Sequence, residues 1–152
     1  MIDRLPYGAR HQIPTLIVVH AMAEFIEINK ITYHAVDFLR KVRLSAHRFI
    51  TPSGTNIESR RDDQGAYHAK GFNKNSLGIE ILVEGQHDYR SFVDTIKTDW
   101  CKGLQMEAAI SQVRQWMILH AITDIKKHSE LSPERKVDPG EGFNWDYFIK
   151  HL

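Results

Sequence analysis

The chain has 152 residues, 42% hydrophobic and 26% charged, with a formal net charge of +1 and a pI near 7.9. That is the make-up of one ordinary folded domain with its own core, and it excludes a disordered or fibrous chain. The near-neutral balance also excludes the concentrated basic surface that a nucleic-acid partner calls for.

No apolar run approaches the ~20 residues needed to cross a bilayer, so no membrane partner is expected. Residues 1–10 lack the apolar stretch of a secretory signal, which predicts the cytoplasm of the producing cell, with separate delivery if the target lies outside. The lone Cys101 rules out an internal disulfide.

In chain order, 14–20 is a short apolar run of Leu16, Ile17, Val18 and Val19 that reads as a buried central strand with His20 at its end. Residues 32–42 place Val36, Leu39 and Val42 at spacings of three, predicting an amphipathic helix over one sheet face. Segments 45–50 and 55–59, joined through Pro52, Ser53 and Gly54, predict a hairpin. Residues 62–75, with Gly65, Gly71, Asn73 and Asn75 and no sustained period, read as a surface loop.

Strand character returns at 77–83, with Leu77, Ile79, Ile81 and Val83 on one face and Gly78, Glu80 and Leu82 on the other. Residues 105–120 carry Ile110, Val113, Met117 and Leu119 near helical spacing and predict the longest helix. Residues 127–143 hold two prolines and two glycines, and 145–152 predict a closing helix capped by Asn144. Trp100, Trp116 and Trp145 are read as packing residues. The expected class is α/β, a single domain over 1–152 with a mixed central sheet and helices on its faces.

Three separated segments carry the chemistry: Val18-Val19-His20-Ala21, then Asn75-Ser76-Leu77-Gly78-Ile79-Glu80, then 128–140, where His128 is followed eight residues later by Lys136 and ten later by Asp138, within Ser-Pro-x-Arg-Lys-x-Asp-Pro-Gly. Together they resemble the amidase-2 family. Its members are zinc-dependent N-acetylmuramoyl-L-alanine amidases of bacteria and phages, similar in fold to the peptidoglycan recognition proteins.

The resemblance implies one zinc ion held by His20, His128 and Asp138, leaving the fourth tetrahedral position open as catalytic zinc requires. Two imidazoles and a carboxylate suit zinc in type and number on general grounds, although spacing alone does not bring His20 and His128 together. It further implies Glu80 as the group that moves a proton and Lys136 as the cation that steadies the oxyanion. Some members carry a tyrosine just before the histidine of the second strand; here that position is Ala46, before His47, which shifts weight onto Glu80. Tyr67-His68-Ala69-Lys70-Gly71 resembles a substrate-facing loop, giving His68, Asn73 and Asn75 as candidate substrate contacts. Arg135 is a candidate for a stem-peptide carboxylate.

Taken singly, each residue also has a plainer reading: His20 as a hydrogen-bonded structural histidine, Asp138-Pro139-Gly140 as a turn, Glu80 as an ion-pair partner or solvated residue, Lys136 as a solvated lysine, and His47 and His68 as core or loop histidines. The expected activity is hydrolysis of the bond between N-acetylmuramic acid and L-alanine by a monomer acting on peptidoglycan or a muropeptide. A phage-type endolysin is the leading role. A cytoplasmic enzyme recycling wall fragments, a non-cutting peptidoglycan binder and a regulatory surface stand as alternatives.

Overall fold

The computed structural model describes residues 12–152; the reading of residues 1–10 as lacking a signal lies outside the described residues. The elements are β1 (Leu16–Ile28), β2 (Ile31–His34), α1 (Ala35–Lys41), β3 (Arg48–Ile50), β4 (Asn56–Glu58), β5 (Ser76–Gln86), α2 (Tyr89–Thr95), α3 (Leu104–His120), β6 (Asp124–Lys127), the single turn α4 (His128–Leu131) and α5 (Trp145–Lys150). The sheet runs β2-β1-β5-β3-β4, with β6 also pairing β1. β1 is parallel to β5 and β6, β3 is parallel to β5, and β1/β2 and β3/β4 are antiparallel, which makes the sheet mixed as expected.

Alternation along β5 divides the core into two layers. Leu77, Ile79 and Ile81, with Ile17 and Val19 of β1, pack against Met106, Ala109, Ile110, Val113 and Trp116 of α3 and against Phe143 and Phe148. On the opposite face Leu82 and Phe49 meet Ala35 and Leu39 of α1, and Val18 meets Ala69 of the 62–75 loop. One face is therefore sealed by a long helix, whereas the other is covered in patches. Glu80 and Gly78 share the patched face with Leu82.

Several expectations need correction. His20 is not at a strand end: β1 continues to Ile28, then turns through Asn29 and Lys30 at φ 50 and 65, the left-handed pair of a tight hairpin. That hairpin claims residues 32–34 as β2, so the helix begins only at Ala35, where His34 Nδ1 accepts from the Val36 N–H. β6, α2 and α4 have no counterpart in the expected elements. The hairpin β3/β4, the loop, α3 and the Asn144-capped α5 stand, each with shifted bounds. No helix among the described residues is long and apolar enough to cross a membrane.

The 62–75 loop is moored at its start by Asp62. Its carboxylate accepts from Arg48 at 2.8 Å, from the Trp116 indole at 3.1 Å and pairs with His120 at 2.8 Å, so β3, α3 and the loop share one polar knot. Arg48 is itself buried, and loss of Asp62 leaves its charge leaning on Glu58 among the acidic side chains of the described residues paired with it. Asp62→Ala is expected to cost about 2 kcal/mol, the scale of charged hydrogen bonds lost in a half-buried setting. Urea unfolding followed by far-UV circular dichroism measures it.

Candidate metal centre

β6 stops beside β1 at the pair Val19↔Lys127, so the next residues on the two segments, His20 and His128, emerge side by side. On the other flank of β1, His20 lies in register with Glu80 of β5. Among the described residues, strand pairing on the β6 side of β1 resumes only at Phe25↔His34, which leaves a stretch of strand edge without a neighbouring strand there. The Ala21 N–H in that stretch donates to Asp138 Oδ2 at 3.3 Å. Asp138 in turn is tied to the start of α4 by Ser129 N–H to its carbonyl at 3.0 Å. The loop before it is closed by Lys136 N–H to the Ser132 carbonyl at 2.8 Å.

The result is a tight cluster. His20 Nδ1 lies 2.9 Å from His128 Nδ1 and 3.4 Å from Asp138 Oδ2, and His128 Nδ1 lies 3.2 Å from the same oxygen. Glu80 Oε1 stands 3.9 Å from His20 Nδ1. His20, Glu80, His128 and Asp138 are 1%, 7%, 5% and 7% exposed, so their electrostatics are those of a dry site. Among the described residues, His20, His128 and Asp138 form the group placed to hold a metal ion.

The donor set fits a tetrahedral divalent ion. With metal–ligand bonds near 2.0–2.1 Å, the edge between two ligand atoms is roughly 3.3 Å, close to all three separations here. A proton shared between two of these atoms leaves the third facing a lone pair, whereas one cation serves all three. The buried Glu80 Oε2, on the carboxylate beside the cluster, has no hydrogen-bond partner among the described residues, as befits a site built to receive something from outside.

The titrating groups diverge. Burial lowers the pKa of His20 to about 4, with the bond to Asp138 opposing and the His128 charge assisting, so its imidazole is neutral at ordinary pH. Burial raises Asp138, but bonds to His128 and His20 outweigh it and hold the carboxyl well below its usual range. Glu80 is pushed well above 4.5 by burial and by the nearby Asp138 charge, with Lys136 pulling the other way. The same burial therefore ends in opposite net shifts for two neighbouring carboxyls, Asp138 downward and Glu80 upward, the divergence expected where one group holds charge and the other exchanges a proton.

A cleft of about 910 Å³ opens over this cluster, lined among others by Met22, Phe38, Leu44, Tyr67, His68 and Tyr89. Lys136 and Arg135 border it as well. Of the expected site residues, His20, Glu80, His128, Lys136, Asp138, His68 and Arg135 therefore meet in one place. Asn73 and Asn75 are not among the lining residues: Asn73 Oδ1 accepts from the backbone N–H groups of His68 and Ala69 at 3.0 and 2.8 Å, and Asn75 reaches Thr15 at 3.4 Å. Ala46 is fully buried beside Phe49 and Leu82 and offers no polar atom.

A profile of N-acetylmuramoyl-L-alanine amidases, the amidase-2 family, matches residues 10–141. The chain belongs to this family. It is a peptidoglycan amidase. No curated protein matches it at a significant level. Among solved structures, the amidase is similar to a selenomethionine derivative of AmpD (24% identity, 96% of this chain and 89% of that one, TM-score 0.72). It is similar too to the endolysin amidase LysCS of Clostridium intestinale (24%, 91% and 82%, TM-score 0.69). The Drosophila peptidoglycan recognition protein SD shares the fold at 15% identity over 93% of this chain and 83% of that one, with TM-score 0.60.

Sequence reasoning missed Ser76, Gly78 and the Ala21 N–H. A signal existed for the first two, since Ser76, Gly78 and Glu80 alternate on one strand and so must share a face.

The Glu80 shift has a measurable consequence with a definite sign. Its folded pKa is raised, so the folded state is not penalised while both states keep the proton, near and below 4.5, and loses stability as pH rises toward the folded value. In metal-free protein, Glu80→Gln is expected to melt higher than the wild type at pH 8, with the gap closing as pH falls to 4.5. Thermal melts across that range measure it, and a gap that widens toward acid contradicts the assignment.

Proposed function

We propose that the amidase binds one zinc ion through His20, His128 and Asp138 and uses it to hydrolyse the bond between N-acetylmuramic acid and L-alanine, as a single catalytic domain of endolysin type. The observation that carries this reading is the convergence of three lone-pair donors in a dry cleft wall at tetrahedral-edge separations.

When bound, zinc supplies Lewis acidity toward an amide carbonyl and makes water acidic enough to attack near neutral pH. Glu80 takes the proton of the attacking water and delivers it to the departing L-alanine nitrogen; burial, by raising its proton affinity, makes it a better base than an ordinary carboxylate. Lys136, part-buried on the same wall, holds the negative charge that develops on the carbonyl oxygen. Arg135, exposed at the cleft, presents its planar fork to a carboxylate of the stem peptide. With alanine at position 46, no tyrosine shares the proton transfer from that position.

The cleft rim supports a polymeric substrate. Leu44, Tyr67, Tyr89 and Val137 line it while being 45%, 40%, 74% and 47% exposed, a wet apolar border suited to sugar faces and peptide lying across the surface.

Digestion of intact sacculi should release L-alanine amino termini and clear turbid wall suspensions, and exhaustive chelation should abolish this until zinc is restored. Glu80→Ala is expected to lower kcat by about 10²–10⁴-fold while zinc stays bound. Lys136→Ala should lower it by about 10²–10³-fold. His128→Ala should lose the metal itself. Cleavage of soluble anhydromuropeptides without attack on sacculi would assign a recycling role instead, and wall binding without cleavage a recognition role.

A further inference from the structure

His20, His68 and Ser76 are hydrogen bonded end to end in the wall of the cleft. His20 Nε2 lies 2.8 Å from His68 Nδ1, His68 Nε2 lies 2.9 Å from Ser76 Oγ, and Ser76 Oγ donates to the Phe72 carbonyl at 2.7 Å. The last bond sets the direction of the others. A carbonyl only accepts, so the serine proton is directed at Phe72 and the serine oxygen accepts from His68 Nε2–H. A neutral His68 then has a bare Nδ1, which accepts from His20 Nε2–H. A neutral His20 is left with its lone pair on Nδ1, the atom that faces His128 and Asp138.

From this chain of donors we infer that His68 and Ser76 are positioning residues that lock His20 in the Nε2–H tautomer, and that Gly78 is the seat which lets them do so. A Cβ on Gly78 would come within 2.5 Å of His68 Nδ1, so the ring rests directly on the β5 backbone. Across from it stands His47, edge-on at 5.8 Å, fixed between the Gly78 N–H at 3.0 Å and the Gln64 carbonyl at 2.8 Å. Asn73 holds the backbone of His68 from below the loop. The His68 ring is confined on every one of these sides, and its two nitrogens are both engaged within the protein. It lines the cleft, but its role is to present a ligand atom and not to hold substrate.

The consequence for metal affinity rests on the zinc reading above; the tautomer itself does not. Outer partners that orient a ligating histidine typically change metal affinity by about 10–100-fold when removed.

The test uses the full chain and two readouts. First, long-range ¹H–¹⁵N spectra of the metal-free protein report each histidine's tautomer: His20 and His68 should both be Nε2–H in the wild type, and His20 should become a mixture in Ser76→Ala and His68→Ala. Second, zinc affinity measured by chelator competition should weaken about 10–100-fold in both variants and in Gly78→Ala, which removes no polar group. His68→Asn, whose amide oxygen stands near the place of Nδ1, should recover most of the loss. A purely packing role for His68 would not give that recovery.

A wild-type His20 protonated on Nδ1, or zinc affinity unchanged in both Ser76→Ala and His68→Ala, overturns the inference. Wild-type protein with the expected tautomers that binds no zinc would sink the metal reading while upholding this one.

Discussion

β1 carries two different partners on one edge. β6 runs beside its first residues and β2 beside its last, and between them the backbone of the strand must find hydrogen bonds elsewhere. At Ala21 the partner is the carboxylate of Asp138. An unpaired strand edge is normally a liability, exposed to water or to other chains. Here the same vacancy in the ladder gives a buried carboxylate its hydrogen bond and brings the 128–140 segment against His20, so the centre is a product of where two strands stop.

That placement explains the electrostatics. Because the cluster sits inside the sheet's patched face, burial works on each ionisable group, and the groups differ only in their partners. Asp138 has two imidazoles and a backbone N–H, which lower its pKa; Glu80 has an oxygen without a partner among the described residues and a neighbouring negative charge, and its pKa is raised. One carboxyl is thereby suited to hold a cation and the other to exchange a proton. Neither property belongs to the residue type.

What the sequence discloses follows the same logic. Strands at 14–20 and 77–83 and the helix at 105–120 are legible because their apolar residues recur at the period of the element and pack against one another in a single layer. β6 is not legible. Its four residues, Asp-Ile-Lys-Lys, are polar, and they become a strand because β1 offers them a parallel edge. Yet β6 is what sets His128 beside His20, so the meeting of the two histidines is a tertiary fact that no spacing encodes. Residues 32–34 show the converse, helical spacing overridden by hairpin pairing. The ligand trio was within reach only through family likeness, whereas the shared face of Ser76, Gly78 and Glu80 followed from period two alone.

That shared face ties metal placement to proton transfer. On β5, Ser76 ends the hydrogen-bond chain from His20, Gly78 gives His68 its seat, and Glu80 reaches the cluster directly, each two residues from the next. Residues Ser76 to Val83 are all buried and paired with β1, and Ile79 to Ile81 are paired with β3 as well, so one continuous ladder sets the three positions relative to His20. A one-residue slip of β5 would turn all three toward α3 and put isoleucine and leucine beside His20. The apolar face of β5, by packing against that helix, therefore fixes the polar face in register, and the accuracy of the centre derives from the hydrophobic layer beneath it.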